Sequence, residues 1–341
     1  MRIGVLGAGS WGVALSVLLH RRRHCVTMWE FDAAAAAELR RKHELTRKLP
    51  GILIPEDILI TNDIRACIEG ADIVVCVVPA QTMRATMELL VSVTAPEIRD
   101  TIKGWVIATK GIESDSLNLM TDVASEVVPE IDEEKLVVLS GPSHAEEVSR
   151  GIPTTVVAAS ENEALAVTVQ GYFSTEWFRI YSNDDVKGVE LGGSVKNVIA
   201  VAAGICDGLG FGDNTKGALI TRGMVEMMRL GSTMGAREQT FSGLAGMGDL
   251  VTTCMSRHSR NRRFGELIGK GYRLEKALEQ MSMVAEGVDT TRAVYRLARR
   301  QGIEMPITTE VYRTLFENKP PLEATRDLMS REAKPERIEQ V

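Results

Sequence analysis

Hydrophobic residues in the first half of the chain gather in short, predominantly apolar runs at 2–6, 26–29, 73–78, 105–108 and 136–139. Runs of this length without polar alternation predict strands covered on both faces, as in a parallel sheet. Helical patterns lie between them, so the order reads strand, crossover helix, strand, and the expected class is α/β over residues 1–185. Residues 154–159 and 178–181 read as further strands toward an edge. After about 185 strand-like runs nearly vanish, and an all-α second domain is expected over 186–341. Residues 184–206 read as one long helix with Leu191, Val195, Val198, Ala202 and Ile205 as its buried stripe. Lys319-Pro320-Pro321 marks a turn before a final helix, and the charged last ten residues read as a frayed tail.

Composition narrows the class. The 341 residues are 44% hydrophobic and 25% charged, which fits neither a disordered nor a membrane-embedded chain. A net charge of −6 gives no general attraction to nucleic acid or an anionic membrane, so an anionic ligand must meet a local group of cations. The five cysteines, 25, 67, 76, 206 and 254, form no C-x-x-C pair, and their odd number points away from a disulfide framework toward a reducing cytoplasm. No stretch reaches about 20 uninterrupted apolar residues, so no membrane span is expected. Residues 3–19 are broken by glycines and followed by Arg21-Arg22-Arg23, the wrong order for a secretory leader.

The most specific local signal is Gly7-x-Gly9-x-x-Gly12, which follows the first strand and opens a helical run. The first glycine permits a tight turn, the second lets backbone approach a pyrophosphate, and the third lets helix pack on strand. The helix N-terminus offers N–H groups to the phosphates. Glu30 stands at the end of the second strand, where a carboxylate would accept hydrogen bonds from the adenosine ribose and repel a 2′-phosphate. The expected cofactor is therefore NAD, with NADP possible if the Arg21–23 cluster serves a 2′-phosphate.

A second constellation is polar. Lys196 lies off the apolar stripe, on a face with Gly192, Gly193, Ala200 and Ala203. A lysine there can be desolvated and exchange a proton with a carbonyl or hydroxyl, although a lysine taken alone more often snorkels to the surface. Lys110 follows a strand, at the edge of the sheet where α/β ligands bind, and Gly141-Pro142-Ser143 follows another. His144 has no evident carboxylate partner and reads as structural. Residues 241–265 concentrate glycine, hydroxyls and cations. Asp249 reads as a helix N-cap with Thr253 one turn on. Ser259, Arg260 and Asn261 offer donors suited to phosphate, while Arg262 and Arg263 read as solvated. No cysteine and histidine cluster has ligand spacing, so no metal is expected.

With these residues in place, nearly the whole chain resembles the NAD(P)-dependent sn-glycerol-3-phosphate dehydrogenases of bacterial type. The resemblance runs through Leu49-Pro50-Gly51, Ala108-Thr109-Lys110-Gly111 and Ser140-Gly141-Pro142-Ser143. It continues through Gly192-Gly193-Ser194-Val195-Lys196-Asn197, Gly208-Leu209-Gly210-Phe211-Gly212-Asp213-Asn214, Gly246-Met247-Gly248-Asp249-Leu250 and Val284-Ala285-Glu286-Gly287. It implies a Rossmann-type first domain, an all-helical second domain, and reduction of dihydroxyacetone phosphate in the cleft between them. It implies Lys196 as catalytic proton donor and acceptor, and Lys110 near substrate and cofactor. Gly141, Ser143, Asp249, Thr253, Ser259, Arg260 and Asn261 are implied in the substrate pocket. Ser10, Trp11, Ala145, Arg260, Val284 and Glu286 are implied as dinucleotide contacts, beside Gly7, Gly9 and Gly12. Where many members carry Gly followed by Arg or His after the second strand, this chain has Glu30-Phe31, a departure that turns the expected preference toward NAD. His144 stands where an aromatic residue is common. The resemblance further implies supply of glycerol 3-phosphate for phospholipid synthesis, and small-residue helix faces with many methionines suit a homodimer. A β-hydroxyacid-type dehydrogenase is the competing enzyme reading. A non-catalytic dinucleotide sensor would have no use for Lys196 together with Asp249 and Arg260.

Overall fold

The computed structural model describes residues 1–281, 283–333, 335 and 336. Of the tail expected at the C-terminus, Lys334 and residues 337–341 lie outside the described residues. The chain forms two compact units, Met1–Lys110 with Leu119–Val186, and Gly111–Asn118 with Lys187–Val341. The segment Gly111–Asn118 thus packs with the second unit although it lies within the first by sequence.

The first unit is an eight-stranded sheet of β1 (Arg2–Leu6), β2 (Cys25–Trp29), β3 (Leu59–Thr61), β4 (Ile73–Cys76), β5 (Gly104–Ile107), β6 (Leu136–Ser140), β7 (Thr154–Ala159) and β8 (Phe178–Asn183). The spatial order is β3-β2-β1-β4-β5-β6-β7-β8, and Val5 of β1 pairs with Met28 on one side and Val75 on the other. Strand order reverses at β1 and β4, and the carboxyl ends beside that switch point are where open α/β sheets hold ligands. Val5, Leu15, Leu19, Met28, Val75 and Val106 are fully buried about β1, as two-sided coverage requires.

Two strand expectations need correction. The sheet is mixed, because β7 runs antiparallel to β6 while β8 is parallel to β7. Between β6 and β7 the one helix is Ala145–Val148, too short for the crossover that a parallel return needs, so the chain turns back on itself. β3 went unread because it is three residues long, lies at the edge and exposes Leu59.

Among its described residues the second unit has no strand. Its centre is the helix Val186–Gly208, in which every residue from Gly188 to Cys206 is buried. The expected stripe is therefore corrected to burial on all sides, a result of its many Gly and Ala positions, which let neighbouring backbones close around it. By length and composition this helix could cross a membrane, but its apolar window is wholly buried inside the protein.

A buried carboxyl anchors one of the neighbours. Glu226, in the helix Asp213–Thr233, accepts from Ile307 N at 2.5 Å, Thr308 N at 3.1 Å and Thr308 Oγ1 at 2.9 Å, at the start of the helix Pro306–Phe316. Burial pushes this carboxyl from 4.5 up to about 7, against the opposing pull of those bonds. Between these two values the unfolded chain releases a proton that the fold retains, so the fold loses stability as pH rises through this window. The cost is about 3 kcal/mol, and Glu226→Gln does not bear it. The Tm of Glu226→Gln relative to the native protein should therefore rise by roughly 5–10 °C between pH 5 and pH 8. Parallel Tm profiles for the two proteins would contradict this.

Candidate active site

In the first unit the glycine turn is shaped by contacts that differ at each position. Gly7 has φ +118°, and a Cβ on Gly12 would lie 1.9 Å from the Gly7 carbonyl oxygen, so both are required by the turn itself. Gly9 is different. Its φ is −70°, and a Cβ there would meet nothing within 4 Å. Neither strain nor packing calls for glycine at 9, and the open space above it adjoins the N-terminus of the helix Ser10–Arg21. A space of this kind at a helix N-terminus can take a pyrophosphate. Ser10 Oγ donates to Lys48 O at 2.9 Å, and Trp11 leans on Phe178 with ring centroids 6.5 Å apart, which fixes this helix start.

Glu30 directly follows β2, where its Oε1 accepts from Asp32 N at 3.2 Å, and Asp32 caps the helix Ala33–Lys42 through Ala35 N at 2.7 Å. Phe31 is 75% exposed and meets Trp29 edge-on, leaving its other face open to a ring. The Arg21–23 cluster precedes β2, at its opposite end, about 16 Å away by strand length. Arg21 stacks over Trp177 and Arg22 donates to Gly171 O at 3.1 Å. Arg21 and Arg22 are thus engaged at the far end of β2, while Glu30 and Asp32 stand just beyond its carboxyl end.

At the ends of β5 and β6, Lys110, Gly141 and Ser143 come together. Lys110 Nζ donates to Gly141 O at 3.0 Å, and Ser143 Oγ donates to the same oxygen at 2.9 Å. Gly141 has φ +133°, and a Cβ there would press to 3.0 Å on Val156 Cα. Ala145 begins the short helix after this turn and is buried. His144 stands at its N-cap position.

In the second unit Lys196 is buried, with 6% exposure, and Asp249 has 2%. Lys196 Nζ donates to Asp249 Oδ1 at 2.5 Å and to Thr253 Oγ1 at 2.7 Å, while Thr253 Oγ1 donates to Asp249 O at 2.6 Å. This corrects Asp249 as an N-cap. It is the first residue of the helix Asp249–Met255, and its carboxylate turns to the counter-charge that a buried ammonium demands. Gly192 makes room, since a Cβ there would lie 2.5 Å from Ala245 O.

The 241–265 segment, rich in glycine, hydroxyls and cations, is helical over much of its length. It forms the π-turn Leu244–Gly248, the helix Asp249–Met255 and the start of the helix Arg260–Gly269. Its glycines serve tight winding, because side chains at 246 would collide with Phe241 O at 2.0 Å. Arg262 is not solvated. It pairs with Asp207 at 2.5 Å and Glu266 at 3.3 Å and donates from Nε to Ser256 O at 3.1 Å. Arg263 is exposed, as expected. Ser259 caps the Arg260–Gly269 helix through Arg262 N, and Arg260 Nη1 donates to Val284 O at 3.1 Å. Glu286 immediately precedes the helix Gly287–Gln301.

Asn261 is buried. Its Nδ2 donates to Asn197 Oδ1 at 2.8 Å, and its Oδ1 accepts from Gly287 N at 2.9 Å. Asn197 was missed by sequence reading. Once the helix is known to be buried on all sides, a buried amide beside Lys196 signals itself. Lys196, Asp249 and Thr253 thus form one cluster, joined along the chain to Asn197, Asn261 and Arg260. The cluster can supply a proton to a developing alkoxide and hold an anion by fixed donors.

Comparison with known proteins agrees with this geometry. The family description "NAD-dependent glycerol-3-phosphate dehydrogenase N-terminus" matches residues 2–166, and "NAD-dependent glycerol-3-phosphate dehydrogenase C-terminus" matches residues 185–326. The chain is 52% identical to the glycerol-3-phosphate dehydrogenase, NAD(P)+, of Chlorobium phaeobacteroides strain BS1, over 98% of this chain and 99% of that one. It is 51% identical to the protein of the same name from Geobacter sulfurreducens, over 98% and 99% of the two chains. The crystal structure of glycerol-3-phosphate dehydrogenase from Coxiella burnetii superposes with a TM-score of 0.89 at 37% identity, covering 97% of this chain and 99% of that one.

Proposed function

The chain belongs to the NAD-dependent glycerol-3-phosphate dehydrogenase family, and from that premise we propose how its own residues carry out the reaction. The protein is an NAD(P)-dependent oxidoreductase that interconverts dihydroxyacetone phosphate and sn-glycerol 3-phosphate. The observation that carries the mechanism is the buried Lys196–Asp249–Thr253 cluster.

The dinucleotide, when bound, supplies or accepts the hydride. Gly9, Ser10, Trp11 and the helix N-terminus hold its pyrophosphate, and the open space above Gly9 fits that group. In the reductive direction the ketone carbon takes a hydride with its electron pair, and the carbonyl oxygen becomes an alkoxide. Lys196 Nζ gives that oxygen a proton and regains one from solvent. An ammonium beside the oxygen stabilises the transition state more than the neutral ketone, which is the condition for catalysis. Asp249 and Thr253 keep the ammonium in place. Arg260, with one of its five N–H donors given to Val284, and Asn261, with a second Nδ2 proton, anchor the phosphate. Lys110, Gly141 and Ser143 are further substrate contacts in this reading, and Ala145, Val284 and Glu286 contacts to the dinucleotide.

Glu30 and Phe31 set the coenzyme preference toward NAD. With dihydroxyacetone phosphate, kcat/KM should be at least tenfold higher with NADH than with NADPH, and Glu30→Ser should narrow the ratio by improving NADPH. Equal use of both coenzymes by the native protein would remove Glu30 from this role.

The free cysteines fit a reducing cytoplasm, since burial pushes the Cys67 and Cys254 thiols up to about 12 and leaves them inert. Supply of glycerol 3-phosphate for phospholipid synthesis is the metabolic role proposed, and a homodimer the proposed assembly.

A further inference from the structure

We propose that Ser194 is a positioning residue for Lys110, an inference that rests on the reading of Lys110 as a substrate contact. Ser194 is fully buried in the helix Val186–Gly208, two residues before Lys196. A serine within a helix ordinarily turns its hydroxyl to the carbonyl one turn back. This one leaves its helix. Ser194 Oγ accepts from Gly111 N at 2.9 Å and donates to Gly111 O at 3.1 Å. Both bonds go to the residue directly after Lys110.

One hydroxyl that holds the N–H and the carbonyl of the same residue fixes the peptide planes on either side of it. The plane containing Gly111 N also contains the Lys110 carbonyl and Cα. Gly111 has φ +155°, a conformation that other residues rarely adopt, so the position is specified twice. The stretch that follows is closed on itself, with Glu113 N bonded to Asn118 O and Leu117 N to Glu113 O, both at 3.0 Å. A second anchor is Arg296, whose Nη1 donates to Ser114 O at 2.5 Å. Lys110 is therefore one peptide bond from a residue fastened to the helix of Lys196, while its Nζ is separately aimed by Gly141 O. One hydroxyl thus fixes the backbone directly after Lys110, the lysine read as a substrate contact. A displacement of about 1 Å in such a group can cost on the order of 10²-fold in rate.

The test is a double-mutant cycle in kcat/KM for dihydroxyacetone phosphate, with Tm measured for each protein. Ser194→Ala should lower kcat/KM about tenfold in the native background, at a temperature well below its Tm. It should lower it less than twofold in the Lys110→Met background, where there is no lysine left to misplace. An equal loss in both backgrounds, or no loss in either, overturns the proposal while leaving the role of Lys110 standing. Native-like kinetics of Lys110→Met alone would overturn the role of Lys110, and this inference with it. If Ser194→Ala does not accumulate as folded protein, Arg296→Ala loosens the same segment from its exposed side. It should show the same dependence on Lys110, and an equal loss in both backgrounds overturns the proposal.

Discussion

Lys196→Met is expected to lower kcat with dihydroxyacetone phosphate by about three orders of magnitude or more, while the Kd for NADH stays within about twofold. The size follows from two losses at one atom, the proton donor and the charge facing the alkoxide, each worth roughly 10²-fold or more. The binding result follows because Lys196 is not among the residues placed against the dinucleotide, which are Gly9, Ser10, Trp11, Glu30, Phe31, Ala145, Arg260, Val284 and Glu286. A side effect comes with the substitution. Asp249, 2% exposed, loses its counter-charge, and breaking a buried pair from one side costs about 3–5 kcal/mol. Lys196→Met should therefore melt well below the native protein. Adding Asp249→Leu removes the stranded carboxylate, so the double variant should recover most of the Tm and none of the activity. Stability and turnover are separable here, since the pair is retained for chemistry. A Lys196→Met enzyme with turnover within tenfold of native would deny the lysine its role.

Gly9→Val and Gly12→Ala should fail in different ways, although both glycines belong to one motif. A side chain at 9 enters space where no atom lies within 4 Å, and its backbone, φ −70° and ψ 178°, is one that valine adopts freely. The variant should fold with a native Tm. Its isopropyl group stands where the pyrophosphate approaches, so NADH binding should weaken by about 100-fold or more, the loss of roughly 3 kcal/mol of phosphate contact. At 12 the added methyl meets Gly7 O at 1.9 Å, a backbone collision, and Gly12→Ala should not give stable protein. Isothermal titration with NADH and thermal melts of both variants distinguish these outcomes. Native affinity in a folded Gly9→Val protein would mean that the dinucleotide does not lie over this turn.

The strands about the switch point were legible because two-sided burial leaves continuous apolar runs, and the glycine turn because its spacing sits between a strand and a helix. β3 was not legible, since a three-residue edge strand with an exposed Leu59 carries no pattern. The antiparallel β7 depends on the length of a connection rather than on the strand itself. In the second unit, sequence reading found Lys196, Asp249 and Thr253 but not their arrangement. A carboxylate opening a helix reads as a cap, and only the tertiary fold shows that its partner is 53 residues away. Arg262 misled for the same reason, because its partner Asp207 is 55 residues distant. Asn197 and Ser194 carry no local signature, since their roles depend on what is packed against a fully buried helix.

The most direct test is the initial rate of NADH oxidation with dihydroxyacetone phosphate, with the product identified by an enzymatic assay specific for sn-glycerol 3-phosphate. A panel of 3-hydroxy acids with NAD is run beside the reverse reaction on glycerol 3-phosphate. The expected result is saturable turnover with one sn-glycerol 3-phosphate formed per NADH consumed, and no 3-hydroxy acid oxidised faster than glycerol 3-phosphate. Absence of turnover with dihydroxyacetone phosphate, or preferential oxidation of a 3-hydroxy acid, would contradict the account.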